Sequence, residues 1–429
     1  MNKNLITGKV LPILIAVFLS STITGYGFLV WHYSNPHYVI MSEKDVEKYK
    51  DLKGFDPQHA ITFDKNNVDS VNINKFNEVK NLLDTYYYKK VDQNDMLEGA
   101  IAGMANSLND PYTVYFTKEQ MKEFNEKTQG SYVGIGVSIY MDNDGILTVI
   151  EAFEDSPAKE VGILPGDKIV KVDDKDVTTI RDDNLIVSMI KGEENTKVKI
   201  TVFRPSEGTY LDFDVTRKEI KIININSEVL QENIGYIRIT MFDSDIAKDF
   251  GTHLNKLLDQ GIKGLIIDLR DNPGGDYDEV SAIADRLLPE GLIVYTEDRI
   301  GNRIEKKSDS TELNIPLSIL VNGYSASASE VLSGAVKDYG KGKLIGTTTF
   351  GKGLVQAVIN LEDGSGIKVT IARYFTPSGE CIHEKGIEPD IVVELDEKYE
   401  NYPVSEVPRE DDAQLRKAIE AIEEQLGKN

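Results

Sequence analysis

Residues Leu317 to Gln356 read LSILVNGYSASASEVLSGAVKDYGKGKLIGTTTFGKGLVQ, and this stretch decides the fold class. Leu317-Ser318-Ile319-Leu320-Val321 is a short apolar run between Pro316 and Asn322-Gly323, which predicts a buried strand closed by a turn. Ser325-Ala326-Ser327-Ala328-Ser329-Glu330 then opens a helix whose apolar positions Val331, Leu332, Ala335 and Val336 share one face. A second strand is predicted over Lys343 to Gly346. Thr347 to Gln356 follows, with Lys352 set between Gly351 and Gly353.

A serine beside a lysine suggests nucleophilic chemistry. A hydroxyl is a weak nucleophile and needs a base to take its proton. A lysine serves as that base only when desolvation brings its amine towards neutrality. The strand-to-helix turn exposes a side chain while the first helical N–H groups point the same way, which suits an oxyanion. The flanking glycines would let the lysine backbone approach the serine. Two plainer readings compete. Ser325 and Ser329 have the chemistry of helix caps. Gly346 to Lys352 also fits the phosphate-loop spacing G-x-x-x-x-G-K, but Gly353 stands where Ser or Thr is required and a strand, not a helix, follows. The phosphate loop is excluded; capping and catalysis both stand on the residues alone.

SASASE followed by TTTFGKGLVQ resembles the active site of the carboxy-terminal (tail-specific) processing peptidases. The resemblance makes Ser327 the nucleophile, Lys352 the base and Gln356 the residue that orients the lysine. It implies a crotonase-like core, no metal or organic cofactor, and protein or peptide substrates with free C-termini.

The rest of the chain fits this frame. Ile234 to Ile239 and Gly264 to Arg270 read as strands around a helix from Ser244 to Leu258, a β–α–β unit that predicts an α/β core. Asp271-Asn272-Pro273-Gly274-Gly275 closes the second strand. By resemblance, Gly274 or Gly275 joins the N–H of Ala328 in the oxyanion hole. Gly130 to Lys218 reads as a β-rich module. Its order of a glycine turn (Gly134-Ile135-Gly136-Val137), a helix begun at Asp155-Ser156-Pro157 and a Leu164-Pro165-Gly166-Asp167 turn resembles a PDZ domain, with Gly134 to Val137 as the carboxylate-binding loop. Such a loop captures a peptide C-terminus on backbone N–H groups while the peptide extends a sheet edge.

Helical patterns run from Val71 to Tyr88 and from Asp92 to Leu108. The run GAIAGMANSLNDPYTVYF resembles the family's N-terminal segment, which implies a homo-oligomer. Asp411 to Leu426 is an amphipathic helix with Leu415, Ile419 and Ile422 on one face, read as a packing or oligomer helix. Val10 to Trp31 is an uncharged, mostly apolar run of 22 residues preceded by Lys3 and Lys9. It predicts a single-pass signal anchor in the cell membrane with the catalytic body outside the cytoplasm.

Composition sets further bounds. A formal net charge of −23 excludes a nucleic-acid partner, which would demand basic surface. One cysteine, Cys381, allows no intramolecular disulfide, and five scattered histidines show no metal-ligand spacing. The predicted organisation is an anchor over 1–32, a linker over 33–70, a helical segment over 71–128, a PDZ domain over 129–218, a mixed α/β (α+β) peptidase core over 219–396 and a C-terminal helical segment over 397–429. Two alternatives carry distinct signatures: a non-catalytic PDZ adaptor, and a Ser–His–Asp hydrolase using His253 or His383.

Overall fold

The computed structural model describes residues 39–42, 60–63, 70–399 and 402–427. Two compact units result, one up to residue 100 and one from residue 101 onwards. The anchor predicted at Val10 to Trp31 lies outside the described residues, and among those described no helix is long and apolar enough to cross a membrane.

The first unit holds strands β1 (Val39–Ser42) and β2 (Ala60–Phe63), which pair in parallel, helix α1 (Ser70–Tyr86) and the start of α2 (Gln93–Asn106). The segment read as a linker contains this strand pair. Four-residue runs such as VIMS and AITF are too short to show a period within polar sequence. Phe76, Val79, Leu82 and Leu83, the predicted apolar face of α1, are exposed.

The second unit begins with β3 (Val114–Phe116) and α3 (Lys118–Gln129). Thr117 and Gln120 cap α3 reciprocally, each side chain accepting from the other's backbone N–H, and Gly130 ends it at a left-handed φ of 68°. The PDZ-like module follows: β4 (Ser131–Gly134), β5 (Val137–Met141), β6 (Leu147–Ala152), α4 (Pro157–Val161), β7 (Lys168–Val172), β8 (Lys175–Asp176), α5 (Asp183–Ile190), β9 (Lys197–Arg204) and β10 (Thr209–Thr216). Its sheet runs β10-β9-β7-β6-β5, which leaves β5 at an edge. Leu147, Val149, Ile169, Ile186, Val198, Ile200 and Val202 form a core of its own. β6 and β9 give alternate residues to that core (Leu147 and Val149; Val198, Ile200 and Val202), as period-two patterning requires.

After β11 (Lys218–Lys221), which pairs back onto β4, the main sheet assembles from β12 (Ile225–Val229), β13 (Ile234–Ile239), β14 (Gly264–Asp268), β17 (Leu317–Val321), β18 (Gly342–Gly346) and β21 (Ile391–Val392), in that spatial order. All neighbours are parallel except β12 and β13. Helices α6 (Ile246–Asp259), α7 (Tyr277–Leu287) and α8 (Ala328–Asp338) cover one face, packing on Ile237, Leu265, Ile267, Ile319 and Leu344. The C-terminal helix α9 (Ala413–Gly427) covers the other, placing Leu415, Ala418 and Ile422 on Ile234, Ile266, Leu320 and Ile345. Strands buried on both faces are uniformly apolar, which is why β14 and β17 read as continuous apolar runs. A second sheet, in the order β16 (Arg303–Ser308), β15 (Gly291–Asp298), β20 (Gly366–Phe375), β19 (Leu354–Asn360), takes β3 as an additional partner of β20.

Candidate active site

The C-terminal ends of β14 and β17 deliver two loops to one place, as parallel sheets do. The loop after β17 carries the three serines of SASAS, and the structure gives them different tasks. Ser325 is fully buried; its Oγ donates to the Leu269 carbonyl at 2.8 Å and accepts from the Asn322 N–H at 2.9 Å. Ser329, also fully buried, donates to the Asn272 carbonyl at 3.0 Å. Both flanking serines thus fasten the turn to the loop after β14. Ser327, between them, lines a cavity of about 350 Å³ that also contains Lys352, Gln356, Ala328 and Gly275. Its backbone stands at φ 54° and ψ −112°, a region that L-residues seldom occupy.

Glu330 is the carboxylate that joins Ser327 to Lys352. It is fully buried on α8. One oxygen accepts from the Ser327 N–H at 2.8 Å and the Lys352 N–H at 2.9 Å. The other accepts from the Thr349 hydroxyl at 2.6 Å and the Gly351 N–H at 2.7 Å. Four donors on one buried carboxylate satisfy its charge and lock the 349–352 backbone to the serine turn. The spacing Ser-x-x-Glu is that of a capping box, the one sequence signal that marks Glu330. The flanking glycines act differently from the expectation. A Cβ on Gly351 would lie 2.8 Å from the Gly386 N–H nitrogen, and one on Gly353 2.7 Å from that of His383. They admit the 383–386 segment, while Glu330 brings the lysine backbone to the serine.

The Lys352 ammonium position is partly buried, 4.7 Å from the centre of the Tyr112 ring, and has no hydrogen bond or ion pair among the described residues. Burial pushes its pKa below the usual lysine range, and nearby Lys368 pushes it further, against the pull of Asp110 and Glu330. Gln356 donates through Nε2 to Thr370 Oγ1 at 3.3 Å rather than to Lys352. Tyr374 donates its hydroxyl to the Ser327 carbonyl at 3.1 Å, and burial raises its pKa well above the ordinary tyrosine value.

The two candidate oxyanion glycines separate. The Gly274 N–H already donates to Asn272 Oδ1 at 2.9 Å. Gly275 lines the cavity, and its N–H, like that of Ala328, has no partner among the described residues. Neither glycine tolerates a side chain: a Cβ on Gly274 would sit 2.8 Å from the Ser327 Cβ, and one on Gly275 2.1 Å from the Phe242 carbonyl oxygen. Neither candidate histidine lines the cavity with Ser327. His253 Nδ1 is paired with Ser227 Oγ at 2.6 Å, and His383 Nδ1 is buried without a partner.

In the PDZ-like module, Gly134, Ile135, Gly136 and Val137 line a second cavity of about 220 Å³ together with Ile139, Val187 and Ile190. The loop carbonyls are held from behind: Ile135 accepts from the Ala158 N–H at 2.8 Å and Gly136 from the Phe153 N–H at 3.0 Å. The N–H groups of Ile135 and Gly136 have no partner among the described residues. Gly136 is at φ 76°, where a Cβ would lie 2.4 Å from that of Ser156.

Comparison with known proteins matches this architecture piece by piece. Residues 233–393 match the profile of peptidase family S41, residues 133–226 that of a PDZ domain, and residues 31–120 that of the activating protease CtpB N-terminal domain. The last match takes in the segment read as a linker. These define a serine-type peptidase that carries a PDZ domain. A "Probable CtpA-like serine protease" of Staphylococcus aureus (strain N315) is 38% identical over 343 residues, covering 79% of this chain and 68% of that one. The "Carboxy-terminal processing protease CtpA" of Bacillus subtilis (strain 168) is 36% identical over 323 residues, covering 75% and 69%. The solved photosystem II D1 C-terminal processing protease is 30% identical, covers 74% of this chain and 86% of its own, and superposes with a TM-score of 0.45. The chain belongs to peptidase family S41, among the carboxy-terminal processing proteases.

Proposed function

We propose that Ser327 and Lys352 form the catalytic dyad of an endopeptidase that cuts proteins near their C-terminal tails. The observation that carries this reading is the shared cavity in which Glu330 holds the two backbones together. Ser327 attacks the scissile carbonyl; Lys352, entering as a neutral amine, accepts the hydroxyl proton and returns it to the leaving amine. The Ala328 and Gly275 N–H groups receive the oxyanion, and Gln356 orients the lysine by its place on the same cavity wall, not by a direct hydrogen bond. The loop from Gly134 to Val137 receives the substrate carboxylate while the peptide extends edge strand β5. The apolar run from Val10 to Trp31 tethers the body outside the cytoplasm, so protease added to spheroplasts digests the body; its complete protection counts against the tether.

Substitution tests the dyad. In variants shown to be folded, Ser327→Ala and Lys352→Ala abolish peptide hydrolysis. Lys352→Arg fails as well, because a guanidinium stays protonated. Gln356→Ala only weakens turnover, and His253→Ala and His383→Ala leave it largely intact. A folded Lys352→Ala with near wild-type turnover beside a dead His383→Ala sinks the assignment.

A further inference from the structure

The catalytic cavity contains a second lysine. On the β19–β20 ladder Gln356 stands opposite Thr370 and Val358 opposite Lys368, two rungs apart. Residues two apart share a face, and Gln356, Val358 and Lys368 all line the cavity with Ser327 and Lys352. Lys368 is half-buried, with its Nζ 5.6 Å from the centre of the Phe116 ring and 5.5 Å from that of Phe124. Among the described residues it has no ion pair and no hydrogen bond. We propose that Lys368 is a positioning residue that acts through Lys352: its charge, beside the stacked pair of Phe116 and Phe124, opposes protonation of the Lys352 amine, so that this amine meets the serine hydroxyl as a base. The proposal rests on the reading of Lys352 as the base.

The charge has a reason to settle on Lys368. Burial pushes both lysines below the usual range, but Lys352 is the more deeply buried of the two, and Asp110 pulls Lys368 back up. The charged and titratable groups around Lys352 come from several elements. Lys368 and Tyr374 stand on β20, Glu330 on α8, and Asp110 and Tyr112 precede β3, with His383 beside Asp110. Asp276, Tyr277 and Asp278 line the cavity from the start of α7. The acidic neighbours are already engaged. Glu330 accepts four hydrogen bonds. Asp110 accepts from the Tyr112 N–H at 3.0 Å and the Thr113 hydroxyl at 2.7 Å. Lys368 is therefore the neighbour whose removal most changes the balance at Lys352. Two like charges that share a site cannot both form without cost, and the more desolvated one yields.

The test is the pH dependence of kcat/KM for a neutral model peptide with the full-length protein. The acid limb reports the base of the free enzyme. Lys368→Met removes the charge and keeps the aliphatic stem, so the limb moves to higher pH. On that limb kcat/KM falls about three- to tenfold below wild type, and the deficit shrinks as pH rises. Lys368→Arg keeps the limb in its wild-type position. Lys368→Gln takes the place of the methionine variant if that variant does not fold. An unmoved limb overturns the proposal, as does an equal loss at every pH, which marks a packing role. A KM increase confined to acidic peptides also overturns it, in favour of substrate recognition by Lys368. Lys352→Ala, run alongside, is inactive at every pH; turnover by that variant removes the base reading itself, whatever Lys368 does.

Discussion

At Ser327 the chain adopts a conformation that its side chain opposes, and the surrounding contacts enforce it. Ser325, Ser329 and Glu330 fix the turn on both sides, so the unfavourable φ of 54° persists. Glycine ordinarily costs about 0.5–1 kcal/mol relative to alanine in structured backbone. Here the sign inverts, because the observed φ and ψ mirror an extended conformation that glycine adopts freely. Ser327→Gly is expected to be more stable than Ser327→Ala by about 1 kcal/mol in denaturant unfolding; an alanine variant as stable or more so contradicts the strain. Glu330 gives the complementary case. Glu330→Gln puts an amide NH2 where two N–H or O–H donors now converge, leaving donors unpaired at a cost of about 1–3 kcal/mol. Turnover is expected to fall at least tenfold in protein that circular dichroism shows to be folded, whereas unchanged turnover removes the bracing role. The serine and lysine were legible in sequence because their spacing is a motif. Glu330 lies within the same motif, but a glutamate three residues after a serine reads first as a cap. Choosing between Gly274 and Gly275 needed the hydrogen bond from Gly274 to Asn272, a contact that adjacent glycines in a string of letters do not reveal.

The elements show the same division between local pattern and long-range partner. The amphipathic stripe of α9 was legible, but not that it closes the second face of the main sheet. Nor was the buried cluster at its start, where Arg270 donates to Asp268 at 2.6 and 2.9 Å, to Asp412 at 2.9 and 3.0 Å and to Gln414 at 2.9 Å. Residues 142 positions apart in the chain meet there, and no local period records such a meeting. The cluster fixes the end of β14, from which the loop carrying Gly274 and Gly275 departs. Burial alone would raise the Asp268 pKa, but the Arg270 guanidinium outweighs it and holds the carboxyl below its usual value. A depressed carboxyl contributes stability above its unfolded pKa, and that contribution is lost as pH falls through the lower folded value. Below about pH 4 the α9 contact is therefore expected to loosen, read as a falling unfolding midpoint. Arg270→Met leaves Asp412 buried without its cation and Asp268 with only Arg238 at 3.6 Å, and is expected to cost about 3–5 kcal/mol at neutral pH. A loss under 1 kcal/mol shows that the cluster is dispensable to the docking of α9.

At the scale of the whole molecule, one helix lines one cavity and is tied by an ion pair to the wall of a second. Phe124 and Thr128 of α3 line the cavity that Ser327 and Lys352 share. Glu126 of the same helix pairs at 2.7 Å with Lys191, which lines the cavity of the PDZ-like module. If the loop at Ile135 and Gly136 holds the substrate carboxylate, as proposed, then α3 ties the holding site to the cutting site through the Glu126–Lys191 pair. Binding energy from a part of the substrate remote from the scissile bond appears in KM when ground state and transition state profit equally. Amidation replaces the terminal carboxylate with a neutral group and removes the charge-assisted bonds to the two free N–H groups, each worth about 1.5–3 kcal/mol. For the full-length protein, amidating the C-terminus of a peptide long enough to reach both cavities is expected to raise KM about tenfold or more. A peptide too short to span them should be cut equally well in either form. Equal KM values for the free-acid and amidated long peptides remove the loop from substrate recognition. A fall in kcat with KM unchanged would instead place the carboxylate at the cutting site.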